Sequence, residues 1–346
     1  MARRKAKSGS RESRYSDLDM SKALLQTRDT AVVAATSLAA VASPPQAAGP
    51  TLQANGHNRL AVTLLKRKVT ALFRHFPAAL TGDEEAIHQL RVSGRRLRVA
   101  LPLLVAKPEG RRAERARTLL RQLTRAAGSS RDLDVLLESY DERLKTVPDR
   151  SEEQKLLRHR LASARRRSRA RMVDNLLDLE ISRLRGDLAG LIARGGPPPS
   201  VVCERFATMS AQEFRVLHDG FSKLGARLDA EELHALRRHA RRLRYAVEVF
   251  DQIRSFESAA TKPWKSLQDL IGVIHDHHVL AEWFDRQAKT DHDRGKNALA
   301  SAAGDEAEWA RTAMRRLHAE FLAADPIAIV ARGLAALGQP LPAPFE

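Results

Sequence analysis

At 346 residues the chain is long enough for one large domain or two of ordinary size. Its 43% hydrophobic and 29% charged residues can build a packed core, which excludes global disorder. A formal net charge of +17, mostly arginine, sets up a long-range potential that attracts polyanions, and guanidinium forks match phosphate oxygens two at a time. The single Cys203 rules out an intrachain disulfide. The strongest apolar run, TAVVAATSLAAVA at 30–42, falls short of the roughly 20 apolar residues that cross a bilayer. Ala40 and Ala42 imitate a secretory cleavage pattern, but the run lies far from Met1 and contains Thr and Ser, so the chain reads as cytoplasmic.

In chain order, residues 1–55 form a basic, Ser-rich and then Ala/Pro-rich tail, either a solvated leader or an extra anchor for a polyanion. Helical periodicity starts at Leu60, and the first helix, LAVTLLKRKVTALFRHF, is expected to be stopped by Pro77 and the Thr81-Gly82-Asp83 loop. Thr81 and Glu84 have capping-box spacing and open the second helix, AIHQLRVSGRRLRVALPLL. A third helix runs from about Arg111 to Ala127–Gly128, where SSRDLDVLLESYDERL restarts or continues it. Pro148 precedes a long Arg-rich helix predicted over 151–193. Its run RHRLASARRRSRAR, 158–171, suits a solvated face, a second polyanion anchor or a nucleic-acid patch, with Leu156, Leu157, Leu161, Met172 and Leu176 on its packing side. GGPPPS at 195–200 is the clearest boundary. Further helices are expected near 203–227, 231–255, 262–288 and 305–323, followed by a Pro-rich C-terminal tail, 326–346. Alternating β-branched runs are absent, so the fold class is all-α, with helical domains at 56–194 and 201–325.

The chain also repeats itself. HQLRVSGRRLRVA (88–100) aligns without gaps on HALRRHARRLRYA (234–246), and LTRAAGSSRDLDVL (123–136) resembles LQDLIGVIHDHHVL (267–280). Both pairs lie about 145 residues apart, which predicts two similar bundles related by a pseudo-two-fold axis. At about 100° per residue, His88, Arg91, Arg95 and Arg98 fall within roughly an 80° sector of one helix. Leu90, Leu97, Leu101 and Leu104 lie opposite. In the second copy His234, Arg237, Arg241 and Arg244 oppose Leu236, Leu243 and Val247. Like charges at these spacings repel by a few tenths of a kcal/mol per pair. No Glu relieves either row, which points to an anion that completes the site; the alternative is a bare solvated face.

His-x-x-Arg followed by Arg-Arg-Leu-Arg in both halves, then Arg-Asp-x-Asp-Val in the first and Leu-Gln-Asp-Leu-Ile-Gly in the second, resembles the conserved histidine α-helical (CHAD) domain over roughly residues 58–323. The resemblance implies two four-helix bundles around a basic central groove or pore, and binding of inorganic polyphosphate. Carried onto this chain, the implied binding residues are His88, Arg91, Arg95, Arg96, Arg98 and Arg131, then His234, Arg237, Arg241, Arg242, Arg244 and Tyr245. It also implies association with polyphosphate or polyester storage granules. His275 stands where the first half has Arg131, and His278 where it has Asp134, so the second half departs from the pattern there.

Asp132 with Asp134, and His275 to His278 with Asp291 and His292, offer metal-ligand types but no complete ligand set, so no metal is expected. No Gly-rich phosphate loop, GxSxG elbow or ExExK signature occurs, so neither an enzyme nor a cofactor is expected. Nucleic acid is the competing partner on charge alone, and no set of stacking aromatics supports it.

Overall fold

The computed structural model describes residues 54–224, 228–255 and 261–337. The Ala-rich run at 30–42 and nearly all of the tail at 1–55 lie outside the described residues. Among the described residues the chain forms eleven helices and no strand, so the fold is all-α as expected. In order these are α1 (Ala54–Leu80), α2 (Glu84–Leu104), α3 (Arg111–Ala126), α4 (Gly128–Lys145), α5 (Glu152–Leu177) and α6 (Ile181–Ala193). Then follow α7 (Pro199–Leu224), α8 (Ala230–Arg254), α9 (Thr261–His292), α10 (Asn297–Ala323) and α11 (Pro326–Ala336).

Several boundaries differ from those expected. Helix α1 ends at the Thr81-Gly82-Asp83 loop, as expected, but runs through Pro77 to Leu80, because a proline in the last turns removes only one backbone bond near an end that frays anyway. The cap of α2 is Asp83, whose Oδ1 accepts from the Ala86 amide at 2.7 Å, while the Thr81 hydroxyl donates to the Ala78 carbonyl instead. Gly82, at φ +84°, supplies the left-handed turn that makes this possible. The long Arg-rich helix is two helices, parted at residues 178–180. The first is opened by a reciprocal capping box between Ser151 and Gln154. Helix α10 begins at Asn297 rather than 305 because buried Leu299, Ala303 and Ala307 hold its first turns against the core. The expected C-terminal tail carries α11. Asp325 caps it by accepting from the Ala328 amide, Pro326 opens it, and Ile329, Val330 and Leu334 are buried.

The 195–200 linker falls between α6 and α7, with Pro199 as the first residue of α7. The hydrophobic core does not part there. Leu136, Leu137, Tyr140 and Leu144 of α4 pack with Leu157 and Leu161 of α5, Leu280, Trp283 and Phe284 of α9, and Leu299, Ala303 and Ala307 of α10. The Tyr140 and Phe284 rings meet edge to face, 4.8 Å between centres. Polar links span the same seam: Gln154 Nε2 donates to Glu306 Oε1 at 2.6 Å, Arg143 Nε lies 3.5 Å from Glu306 Oε2, and Arg160 Nη1 reaches Asp291 Oδ2 at 2.6 Å. Helices α1 on α2, α2 on α3, α4 on α5 and α3 on α6 pack as α7 on α8, α8 on α9, α9 on α10 and α9 on α11 do in the second half. The single helix α9 thus occupies the places that α3 and α4 share. Across the seam α2 meets α8, α4 meets α9 and α5 meets α10.

A candidate polyanion site between two helices

Helices α2 and α8 are anchored by the faces the periodicity predicts. Leu90, Leu97, Leu101 and Leu104 are fully buried, as are Leu236, Leu243 and Val247 nearly so. The opposite face of α2 carries His88, Arg91, Arg95 and Arg98, and that of α8 carries His234, Arg237, Arg241 and Arg244, all partly buried. Because α2 packs on α8, the two rows share one field. The proton affinity of Arg95 is lowered by burial and then by Arg91 and Arg241; that of Arg241 by burial, then by Arg237, Arg91 and Arg98. Arg98 is lowered by burial, Arg121 and Arg242. A guanidinium keeps its proton at neutral pH even so. The depression records burial first, and then a positive potential that Asp132 and Tyr245 offset only in part.

Some of the twelve expected site residues are already engaged. Arg91 Nη1 donates to the Gly128 carbonyl at 2.6 Å and to Asp132 Oδ1 at 2.8 Å. Arg96 grips Glu248 across the seam through Nε at 2.8 Å and Nη2 at 3.1 Å. Arg242 Nη1 lies 2.9 Å from Glu213 Oε1 on α7, a buried carboxylate whose other oxygen is 2.7 Å from His239 Nδ1. Tyr245 is buried, with the Arg96 and Arg244 guanidiniums 5.5 and 5.0 Å from its ring centre, so it acts as a platform for them. Arg131 sits 3.9 Å from Asp134, whose carboxylate mainly holds Arg165 and Arg169 of α5 at 2.6 and 2.7 Å. By contrast Arg95, Arg98, Arg237, Arg241 and Arg244 form no ion pair among the described residues.

Next to this cluster the rings of His234 and His275 lie 4.2 Å apart. The Nδ1 atoms of both are buried without a hydrogen-bond partner. His234 is held down to about 4 by burial and then by Arg238, Arg237 and Arg241. His275 falls to about 3 through burial, His234, Arg237, His278 and Arg241. Both rings are neutral at pH 7. The departure of His275 from the first half's pattern therefore places a second imidazole in the site.

Two basic residues beside the site were not singled out from the sequence. Lys68 of α1 is buried near Glu248 and Arg96, and burial lowers its proton affinity. Arg121 of α3 adds its charge to Arg98. Neither belongs to the repeat, and only helix packing brings them in. Arg205 of α7 holds the end of α2 in place, donating to the carbonyls of Pro102, Leu103, Val105 and Ala106, the shortest at 2.7 Å. The Arg-rich run of α5 divides. Arg158, Arg160, Arg165 and Arg169 pair with Asp141, Asp291, Asp134 and Glu84, whereas Arg166, Arg167 and Arg171 are exposed.

The histidines at 275–278 diverge. His275 turns to His234, His277 packs on Trp309 with Nδ1 2.9 Å from the Val273 carbonyl oxygen, and His278 lies 3.5 Å from Glu282. Among the described residues no three His, Cys, Asp or Glu side chains converge as a ligand set. No described helix is long and apolar enough to cross a membrane.

Comparison with known proteins agrees with the motif reading. The CHAD domain family model matches residues 63–285, more than half of the chain. The crystal structure of the CHAD domain from the plant Ricinus communis superposes with a TM-score of 0.54 at 25% identity, covering 82% of this chain and 93% of that one. PptA from Streptomyces chartreusis, at 17% identity, gives the same TM-score over 75% of this chain and 98% of its own, a likeness of fold. No curated protein matches.

Proposed function

Because the chain belongs to the CHAD domain family, we propose that it is a non-enzymatic helical module that binds inorganic polyphosphate between α2 and α8. In this reading its two halves, 56–194 and 201–325, are related by a pseudo-two-fold axis around a basic groove. The observation that carries the proposal is the meeting of two arginine rows, five of whose guanidiniums have no carboxylate partner among the described residues. A chain of phosphates places one negative charge per unit along such a row, and each charge-assisted contact is stronger than a neutral hydrogen bond. The flexible anion supplies what the protein omits.

Titration calorimetry with long-chain polyphosphate tests this. Wild type binds. Replacing Arg95, Arg98, Arg237 and Arg241 with Ala abolishes binding while helicity and melting temperature stay near wild type. By analogy with single-stranded nucleic acids, about 0.7 counterion is released per neutralised phosphate, so five contacts give a log–log salt slope of about −3.5. Unchanged affinity in the fourfold variant overturns the site. Displacement of polyphosphate by nucleic acid at equal phosphate concentration overturns the ligand. In cells the module is cytoplasmic and associates with storage granules. Fluorescent fusions with and without residues 1–50, imaged in granule-bearing cells, check the location and the contribution of the tail.

A further inference from the structure

Equivalent arginines of the two halves are not equivalent in their surroundings. Arg91 has its Nη1 bound to the Gly128 carbonyl and to Asp132. Arg237, its counterpart, forms no ion pair among the described residues; its guanidinium rests against α9 at Gly272. A Cβ added at Gly272 would lie 2.9 Å from Arg237 Nη2, so close that this free end of the arginine must move aside, while Cζ at 3.5 Å and Nε at 3.6 Å would be in ordinary contact. A Cβ at Gly128 would meet Arg91 Nη1 at 3.8 Å, an ordinary contact. Gly272 is buried inside α9 and is not among the glycines with positive φ, so the backbone has no need of glycine there, and a helix interior disfavours it relative to alanine. Its use is steric.

We infer that Gly272 is a positioning residue for the anion site: its bare Cα seats the uncommitted guanidinium of Arg237 among His234, His275 and Arg241, so Arg237 contacts phosphate while Arg91 chiefly braces α2 against α4. This rests on the polyphosphate reading above. It adds that the two rows contribute unequally, with the α8 row the stronger. A methyl at residue 272 would push the guanidinium off its seat without removing a charge.

The test compares single and double variants by calorimetry with long-chain polyphosphate, with melting temperatures recorded alongside. Arg237→Ala and Gly272→Ala each weaken binding about tenfold, the loss of one charge-assisted contact. Arg91→Ala weakens it two- to threefold. Adding Gly272→Ala to Arg237→Ala changes nothing further, because both remove the same contact. Gly272→Ala melts no lower than wild type, and Gly304→Ala in α10, where an added Cβ meets nothing within 4 Å, binds as wild type. Wild-type affinity in Gly272→Ala, additive losses in the double variant, or equal losses for Arg91→Ala and Arg237→Ala each overturn the inference. Failure of wild type to bind at all overturns the proposed function and this inference together, a result distinct from binding that Gly272→Ala leaves unaltered.

Discussion

His234 and His275 show most directly how the field of the arginines acts on a single side chain. An imidazole ordinarily titrates near 6.5. Here burial, Arg237, Arg238 and Arg241 on α8, and His278 on α9 oppose the imidazolium, and only Asp132 on α4 favours that of His234. A polyanion lying on Arg237 and Arg241 cancels that opposition, so the rings take up protons on binding. Affinity for polyphosphate is therefore expected to rise as pH falls from 8 to 5, and His234→Gln with His275→Gln to flatten the rise. Calorimetry in buffers of different ionisation enthalpy reads the proton uptake directly. In the unliganded protein the sign is opposite. The unfolded chain takes protons near 6.5, whereas the folded rings do so only near 4 and 3. Their contribution to stability is whole above about 6.5 and is lost as pH drops toward 3. Melting temperatures at pH 7 and pH 5, with and without ligand, should diverge accordingly. The sequence already showed His234 at the head of a row and His275 as a departure from the repeat. It did not show that the two rings meet, since 41 residues of chain separate them and only the packing of α8 on α9 closes that distance.

Among the helices, the fate of each arginine follows from which neighbour brings a carboxylate. Asp134 of α4 is buried and holds Arg165 and Arg169 of α5. Glu84, at the start of α2, joins the same pair. Without Asp134, Arg165 and Arg169 keep only the exposed Glu84, so Asp134→Ala should lower stability, seen as a lower denaturant midpoint with polyphosphate still bound. Asp83→Ala removes a side-chain cap and should lower stability by about 1 kcal/mol in the same assay. Helix positions were legible because apolar spacing is local; the cap of α2 was misplaced by two residues because Thr81 and Asp83 offer similar chemistry, and the turn at Gly82 decides between them. The tail reading at 326–346 missed α11 because prolines near a chain end look alike whether they open a helix or end one. Asp325 and Pro326, a cap followed by a first-turn proline, carried the signal.

For the molecule as a whole, the core shared by α4, α5, α9 and α10 decides cooperativity. Its residues come from both sides of the 195–200 linker, so neither half keeps its apolar surface covered alone. Calorimetry should show one unfolding transition, not two. A fragment ending at residue 196 should have little stable helix by circular dichroism; an independently melting fragment would show that the shared core matters less than the packing within each half.

Composition, periodicity and repetition are local or one-dimensional properties, and they were enough for an all-α chain with two matched arginine rows and their leucine anchors. Which guanidiniums stay without a carboxylate is a different kind of quantity. Arg95 and Arg96 are adjacent in the chain, yet Arg96 meets Glu248 while Arg95 meets Arg241. Coulomb energy depends on distance in space, and only the packing of α2 against α8 sets those distances.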